Sequence, residues 1–130
     1  MVIDTSALVA VLFGEVERRA IIGAIEAAES RVLSTAGFVE TSIVVGARSG
    51  EDGLRDLDLF LDRGGVELVP VDDEQAHVAR RAFMRFGKGR HPAALDFGDC
   101  FSYALAKTSG RLLLYKGADF AQTDVAAAQY

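Results

Sequence analysis

The chain has 130 residues, half of them hydrophobic and a quarter charged, and a net charge of −5. This is the composition of a soluble globule with room for one core, so residues 1–130 are expected to form a single domain. One cysteine (Cys100) and two prolines exclude disorder, a collagen-like repeat and a disulfide scaffold. No apolar run approaches the roughly 18 residues that cross a bilayer, so no membrane role is expected.

In chain order, strands alternate with helices. Met1–Asp4 is an apolar strand that stops at an acid, and Thr5 or Ser6 caps the helix that follows, ended by Gly14. Val16–Ala28 places Val16, Ala20, Ile21, Ala24, Ile25 and Ala28 on one helical face. Arg31–Thr35 reads as a strand, and Ala36–Arg48 and Gly53–Asp62 as two helices. Val66–Val71 is a third strand, with Pro70 near its end. Asp72 and Gln75 have the spacing of a capping box, opening a helix with Ala76, Ala79, Phe83 and Phe86 as its apolar stripe. After a loop over 87–95, Asp96 caps a helix from Phe97 to Thr108, with Phe97, Phe101, Ala104, Leu105 and Thr108 on one face. Arg111–Tyr115 is a fourth strand, and Val125 is a candidate for a fifth. Strands separated by helices imply a parallel sheet covered on both faces.

Ligands of such sheets bind outside the carboxyl ends of the strands. Asp4 lies at that end of the first strand and Asp119 follows the fourth, so the two should approach each other. Glu40 is flanked at helical spacing by Ala36, Ile43, Val44 and Ala47, which sets a carboxylate in a stripe expected to face the core. Asp99 lies in the first turn of its helix, where an acid is favoured by the helix dipole, so a capping role is open to it as well. If Asp4, Glu40, Asp99 and Asp119 meet, each pair about 5 Å apart repels by roughly 3 kcal/mol at an effective dielectric near 20. A divalent cation relieves that repulsion, and all-oxygen ligands favour Mg²⁺ or Mn²⁺. His77, His91 and Cys100 do not have the spacing of a zinc site. A hard-metal acidic site suits phosphodiester cleavage.

The charge is sorted along the chain. Residues 51–74 carry −7, whereas Arg80, Arg81, Arg85, Lys88 and Arg90 fall in a stretch with no acid and are candidates for gripping phosphates. With the four site acids neutralised, the chain outside 51–74 counts six acids against twelve bases.

MVIDTSAL at the start, Glu40, LDFGDCFSYALA at 95–106 and LLYKGADF at 113–120 together resemble the PIN-domain ribonucleases, specifically the VapC-type toxins of bacterial toxin–antitoxin systems. The resemblance runs over nearly the whole chain. It implies a PIN-like α/β/α sandwich around a mostly parallel four- to five-stranded sheet, and an Mg²⁺-dependent endoribonuclease. A cytoplasmic location is expected from the lone Cys100 and from the acid in MVIDTSAL, where a signal peptide would carry basic residues. The substrates it implies are structured RNAs, often tRNA, and the partners are a second copy and a VapB-type antitoxin. Asp4, Glu40, Asp99 and Asp119 match the acidic quartet, with Asp4 and Asp99 as the direct metal ligands, while Thr5 or Ser6 matches the supporting hydroxyl. Asp96 stands where relatives commonly carry Asn, and it is either a cap or a fifth site acid.

Three other readings compete. A phosphoacceptor receiver domain needs paired acids after the first strand, but Thr5 and Ser6 follow Asp4. A haloacid-dehalogenase-like phosphatase needs an acid where Ser6 stands. The third is a catalytically weak PIN scaffold that binds protein or RNA without cutting, which the presence of all four acids disfavours.

Overall fold

The computed structural model describes residues 1–130. Strands β1 (Val2–Ile3), β2 (Val32–Ser34), β3 (Glu67–Val69) and β4 (Leu113–Leu114) form one sheet in the order β3-β2-β1-β4. Every pairing is parallel, with Val2 opposite both Val32 and Leu113, and Val32 opposite Glu67. Parallel neighbours require crossovers, supplied by α1 (Thr5–Leu12), α2 (Arg18–Ala27), α3 (Thr35–Arg63), α4 (Asp73–Phe86) and α5 (Phe97–Ser109).

Successive strand residues point to opposite faces, and here they supply two cores. Val2, Val32 and Leu113 pack with Ala79, Ala82, Phe86, Ala104 and Leu105 of α4 and α5. Ile3, Leu33 and Leu114 pack with Leu8, Ile21, Ile25 and Leu57 of α1, α2 and α3. This is the expected α/β/α sandwich, with no helix long and apolar enough to cross a membrane. The fifth strand does not form, because the chain beyond Val125 makes only a single bridge, Leu113 with Ala127. Arg31 holds the two crossovers on its side in place, its guanidinium donating to the Glu26 and Gly64 carbonyls, each at 2.8 Å, at the C-terminal ends of α2 and α3.

Several local expectations are corrected. The cap of α1 is Asp4, not Thr5 or Ser6, because its carboxylate reaches the Ser6 N–H. Val16 is 97% exposed ahead of α2, which buries only Ile21 and Ile25. The two helices expected over 36–62 are continuous apart from a break at Gly50, whose φ of +61° only glycine adopts freely. In α4, Ala76 is exposed and the buried face is Gln75, Ala79, Ala82 and Phe86. Asp72 does cap this helix, through the Gln75 N–H at 2.8 Å, but the Gln75 side chain donates to the Pro70 carbonyl instead of closing the box.

The most consequential correction concerns α3. Ile43 is 66% exposed, and Val44 and Ala47 are exposed as well. The core face is Gly37, Thr41 and Val45, which carries less hydrophobicity than the face beside it. Thr41 is tolerated there because its hydroxyl reaches the Gly37 carbonyl at 2.8 Å, and Gly37 lets the helix approach the Leu33 side chain. Glu40 therefore sits at the edge of the buried face, half-buried, and points toward α5.

Candidate active site

Asp4 leaves the end of β1 and turns the chain into α1, which fixes its carboxylate at the carboxyl edge of the sheet. It is 2% exposed. One oxygen, Oδ2, accepts from the Ser6 N–H at 2.9 Å and from the Ser6 hydroxyl at 2.7 Å. The other, Oδ1, is buried with no hydrogen-bond partner. The buried Ser102 hydroxyl of α5 faces the same carboxylate without completing a bond to Oδ1. Burial raises the Asp4 pKa above the ordinary carboxylate range, and the Asp96 charge raises it further, against the opposing Ser102 and Ser6 contacts. An unpaired buried carboxylate oxygen is costly and calls for a cation or a proton.

Asp99 approaches from α5. Its N–H donates to Asp96 Oδ1 at 2.9 Å and its Oδ2 accepts from the Asp96 N–H at 3.0 Å, a reciprocal capping box. Burial first, and then the Asp4, Asp96 and Glu40 charges, push Asp99 up to about 8, although the Asp96 amide bond works in the other direction. Glu40 is raised by burial and by the Asp96 and Asp4 charges, while Thr5 stabilises its ionised form. Thr5 and Thr41 share a buried hydroxyl contact at 3.1 Å that sets this corner of α1 against α3. Asp4, Glu40, Asp96 and Asp99 thus form one electrostatic group. Asp96 caps α5, and its charge acts on Asp4, Glu40 and Asp99.

Asp119 is exposed at the head of a 3-10 turn (Phe120–Gln122), and its charge is not among those acting on Asp4, Glu40 or Asp99. Its loop is nevertheless tied to the site, since the Lys116 N–H donates to the Ser6 hydroxyl oxygen at 2.9 Å. The Lys116 ammonium is engaged by Glu15 and, at 3.1 Å, by Glu17, so it does not neutralise the pocket. No three His, Cys, Asp or Glu side chains close into a ready-made ligand set. Of the basic residues, Arg85 is paired with Asp124 at 3.5 Å and lies over the Phe86 ring. Arg80, Arg81, Lys88 and Arg90 are exposed and form no ion pair. Two site residues escaped the sequence reading. Ser102 lies three residues beyond Asp99 and Gly98 one before it, and helical spacing from Asp99 was the signal available for Ser102.

Residues 1–126 match the profile of the PIN domain. The chain belongs to the PIN-domain family. It is 57% identical over 127 residues to a ribonuclease VapC of Mycolicibacterium smegmatis, covering 98% of each chain. It is 55% identical over 126 residues to ribonuclease VapC30 of Mycobacterium tuberculosis, covering 97% of this chain and 96% of the relative. The fold is shared with M. tuberculosis VapC20, a toxin that cleaves the sarcin–ricin loop, at a TM-score of 0.80, 16% identity and 99% and 98% coverage. It is also shared with VapBC2 of Rickettsia felis bound to promoter DNA, at a TM-score of 0.77, 12% identity and 98% and 96% coverage.

In this PIN domain the seat of the Glu40 carboxylate against α5 depends on Gly98, because a Cβ there would overlap that carboxylate. The obstructing atoms are the far end of a flexible side chain, so Gly98→Ala should fold with stability changed by no more than about 1 kcal/mol. Glu40 is expected to swing out of the pocket, and its pKa, followed by NMR titration, to fall back toward the ordinary carboxylate range. An unchanged Glu40 titration would show that α5 shifts instead.

Proposed function

We propose that the chain is a divalent-metal-dependent endoribonuclease acting as the toxin of a toxin–antitoxin pair. One observation carries the reading: the unpartnered, buried Asp4 Oδ1, beside an Asp99 whose pKa burial and then the Asp4, Asp96 and Glu40 charges raise. The donor set is all oxygen and suits a hard ion, Mg²⁺ or Mn²⁺. Mg²⁺ keeps several of its own waters, so it does not require a closed protein cage. When bound, the ion supplies an activated water and stabilises charge on the phosphoryl oxygens.

In this reading Asp4 and Asp99 hold the ion. Asp4 is oriented by Ser6 and Ser102, and Asp99 is held by the capping box. Glu40, kept partly desolvated against Gly98, accepts a proton from water at the edge of the pocket. Asp119 completes the set from its loop, which the Lys116–Ser6 bond anchors to Asp4. Arg80, Arg81, Lys88 and Arg90 contact phosphates, the part of RNA binding that does not depend on sequence. The partners are RNA, a second copy of the chain and a VapB-type antitoxin, the last supported by a toxin–antitoxin complex of Klebsiella pneumoniae and the R. felis VapBC2 complex among its structural neighbours. The purified chain should cleave structured RNA, tRNA included, with Mg²⁺ or Mn²⁺ and be silent in chelator. Cleavage that persists in chelator would overturn the reading.

A further inference from the structure

Phe97 is the first residue of α5, between the cap Asp96 and the site acid Asp99, yet it is 77% exposed. Nothing in the helix start needs it, since the capping is done by Asp96 and Asp99. Its ring meets Phe101 edge to face, with centroids 4.9 Å apart and planes at 73°, which holds Phe97 in place while leaving it open to solvent. Below it runs an apolar groove of about 450 Å³ between α4 and α5, floored by Ala79 and Phe83. The only charged residue lining the groove is Arg80.

We propose that this groove is a nucleobase subsite for the substrate RNA, with Phe97 as the stacking surface and Arg80 as the contact to the adjoining phosphate. The inference rests on the nuclease reading above and extends it to a second contact with the same strand. Two features select this occupant. An exposed aromatic beside a cation matches an unpaired nucleotide, which presents a flat π-face and an anion together. The groove wall also includes Phe97 and Cys100, which flank the site acid Asp99 in the first turn of α5, so a strand with its phosphate at Asp99 has the groove within one helical turn. The base must be unpaired to stack, which points to RNA loops or single strands as the segment bound.

The chain contains no tryptophan, so F97W places one fluorophore in the groove. In chelator, where no cleavage occurs, a single-stranded mixed-sequence oligoribonucleotide should quench F97W fluorescence, while inorganic polyphosphate, which lacks bases, should not. With metal, F97A should raise KM for RNA by about 5-fold to 150-fold, the range of one lost stacking contact, with kcat changed less than about threefold. F97Y should restore KM to within about threefold of the parent. Because Phe97 is exposed, F97A should melt with the parent, which separates binding from folding. An unchanged KM in F97A on a parent chain that cleaves RNA would overturn the subsite and leave the nuclease reading standing. F97W fluorescence that responds to chain concentration and not to RNA would overturn it too, by showing a second copy on Phe97. RNA that quenches F97W fluorescence while the parent chain never cuts would instead defeat the nuclease reading.

Discussion

Asp4→Asn is expected to lower metal-dependent RNA cleavage by more than about 100-fold while leaving the metal-free chain at least as stable as the parent at pH 8. The two halves of this result have one cause. Asp4 is almost fully buried, and one of its oxygens has no protein partner. Its charge therefore costs the fold desolvation and repulsion from Asp96, which a neutral amide removes. The amide oxygen can still accept both Ser6 bonds, so the cap of α1 survives. What is lost is the charged ligand that an ion needs. Changes one shell further out typically cost 10-fold to 100-fold in metal affinity, so removal of a direct ligand should cost more. Single-turnover cleavage and thermal melting on the same preparations check both halves. A variant that is inactive because it is unfolded would show a lowered melting temperature, and a variant that stays active would remove Asp4 from the site.

How much of this was legible beforehand varies element by element, for identifiable physical reasons. The parallel sheet was legible because Val2–Ile3, Val32–Leu33 and Leu113–Leu114 are apolar pairs set between helical spacings, and burial on both faces leaves that mark. The capping role of Asp96 was legible because caps are local in sequence. The burial of α3 was not. Hydrophobicity favoured Ile43, Val44 and Ala47, whereas the sheet took the face with Gly37 and Thr41, where a missing side chain and a satisfied hydroxyl permit close approach. Phe97 misled in the same way: its spacing matches the core face of α5, but in the first turn of that helix Gly98 and Cys100 are buried while Phe97 opens to solvent. For the site, position alone raised Asp4 as a strand-end acid and left Asp99 open to a capping role, and the resemblance to PIN-domain ribonucleases joined the two as proposed metal ligands. The convergence of Asp96 with Asp4 and Glu40, and the burial of Ser102 beside them, depend on how α3 and α5 pack over β1, which no local pattern encodes.

The metal-free chain should lose stability as pH rises from about 4 to about 8, and a divalent ion should reverse that loss most strongly at the alkaline end. Asp99 is raised to about 8 by burial and by neighbouring acids, with Asp4 and Glu40 raised as well. In the unfolded chain these carboxyls release their protons near pH 4, so between the two values the folded state binds more protons than the unfolded state. Stability then falls with rising pH across that window, the reverse of a salt-bridged carboxylate, whose contribution is lost as pH falls. Asp99 is partly solvated, so its share is discounted for screening to about 1–2 kcal/mol, or roughly 3–8 °C in melting temperature. An ion requires its ligands deprotonated, so Mg²⁺ or Mn²⁺ should raise the melting temperature more at pH 8 than at pH 5. Asp99→Asn keeps an oxygen for the Asp96 N–H and removes the titrating group, so the difference between the two proteins cancels every titration they share. Melting curves from pH 5 to pH 8 should show a shallower slope in Asp99→Asn and a smaller response to the ion. Parallel slopes in the two proteins would mean that Asp99 is not held against its neighbours' charge, and the pocket would then have no electrostatic demand for a cation at that position.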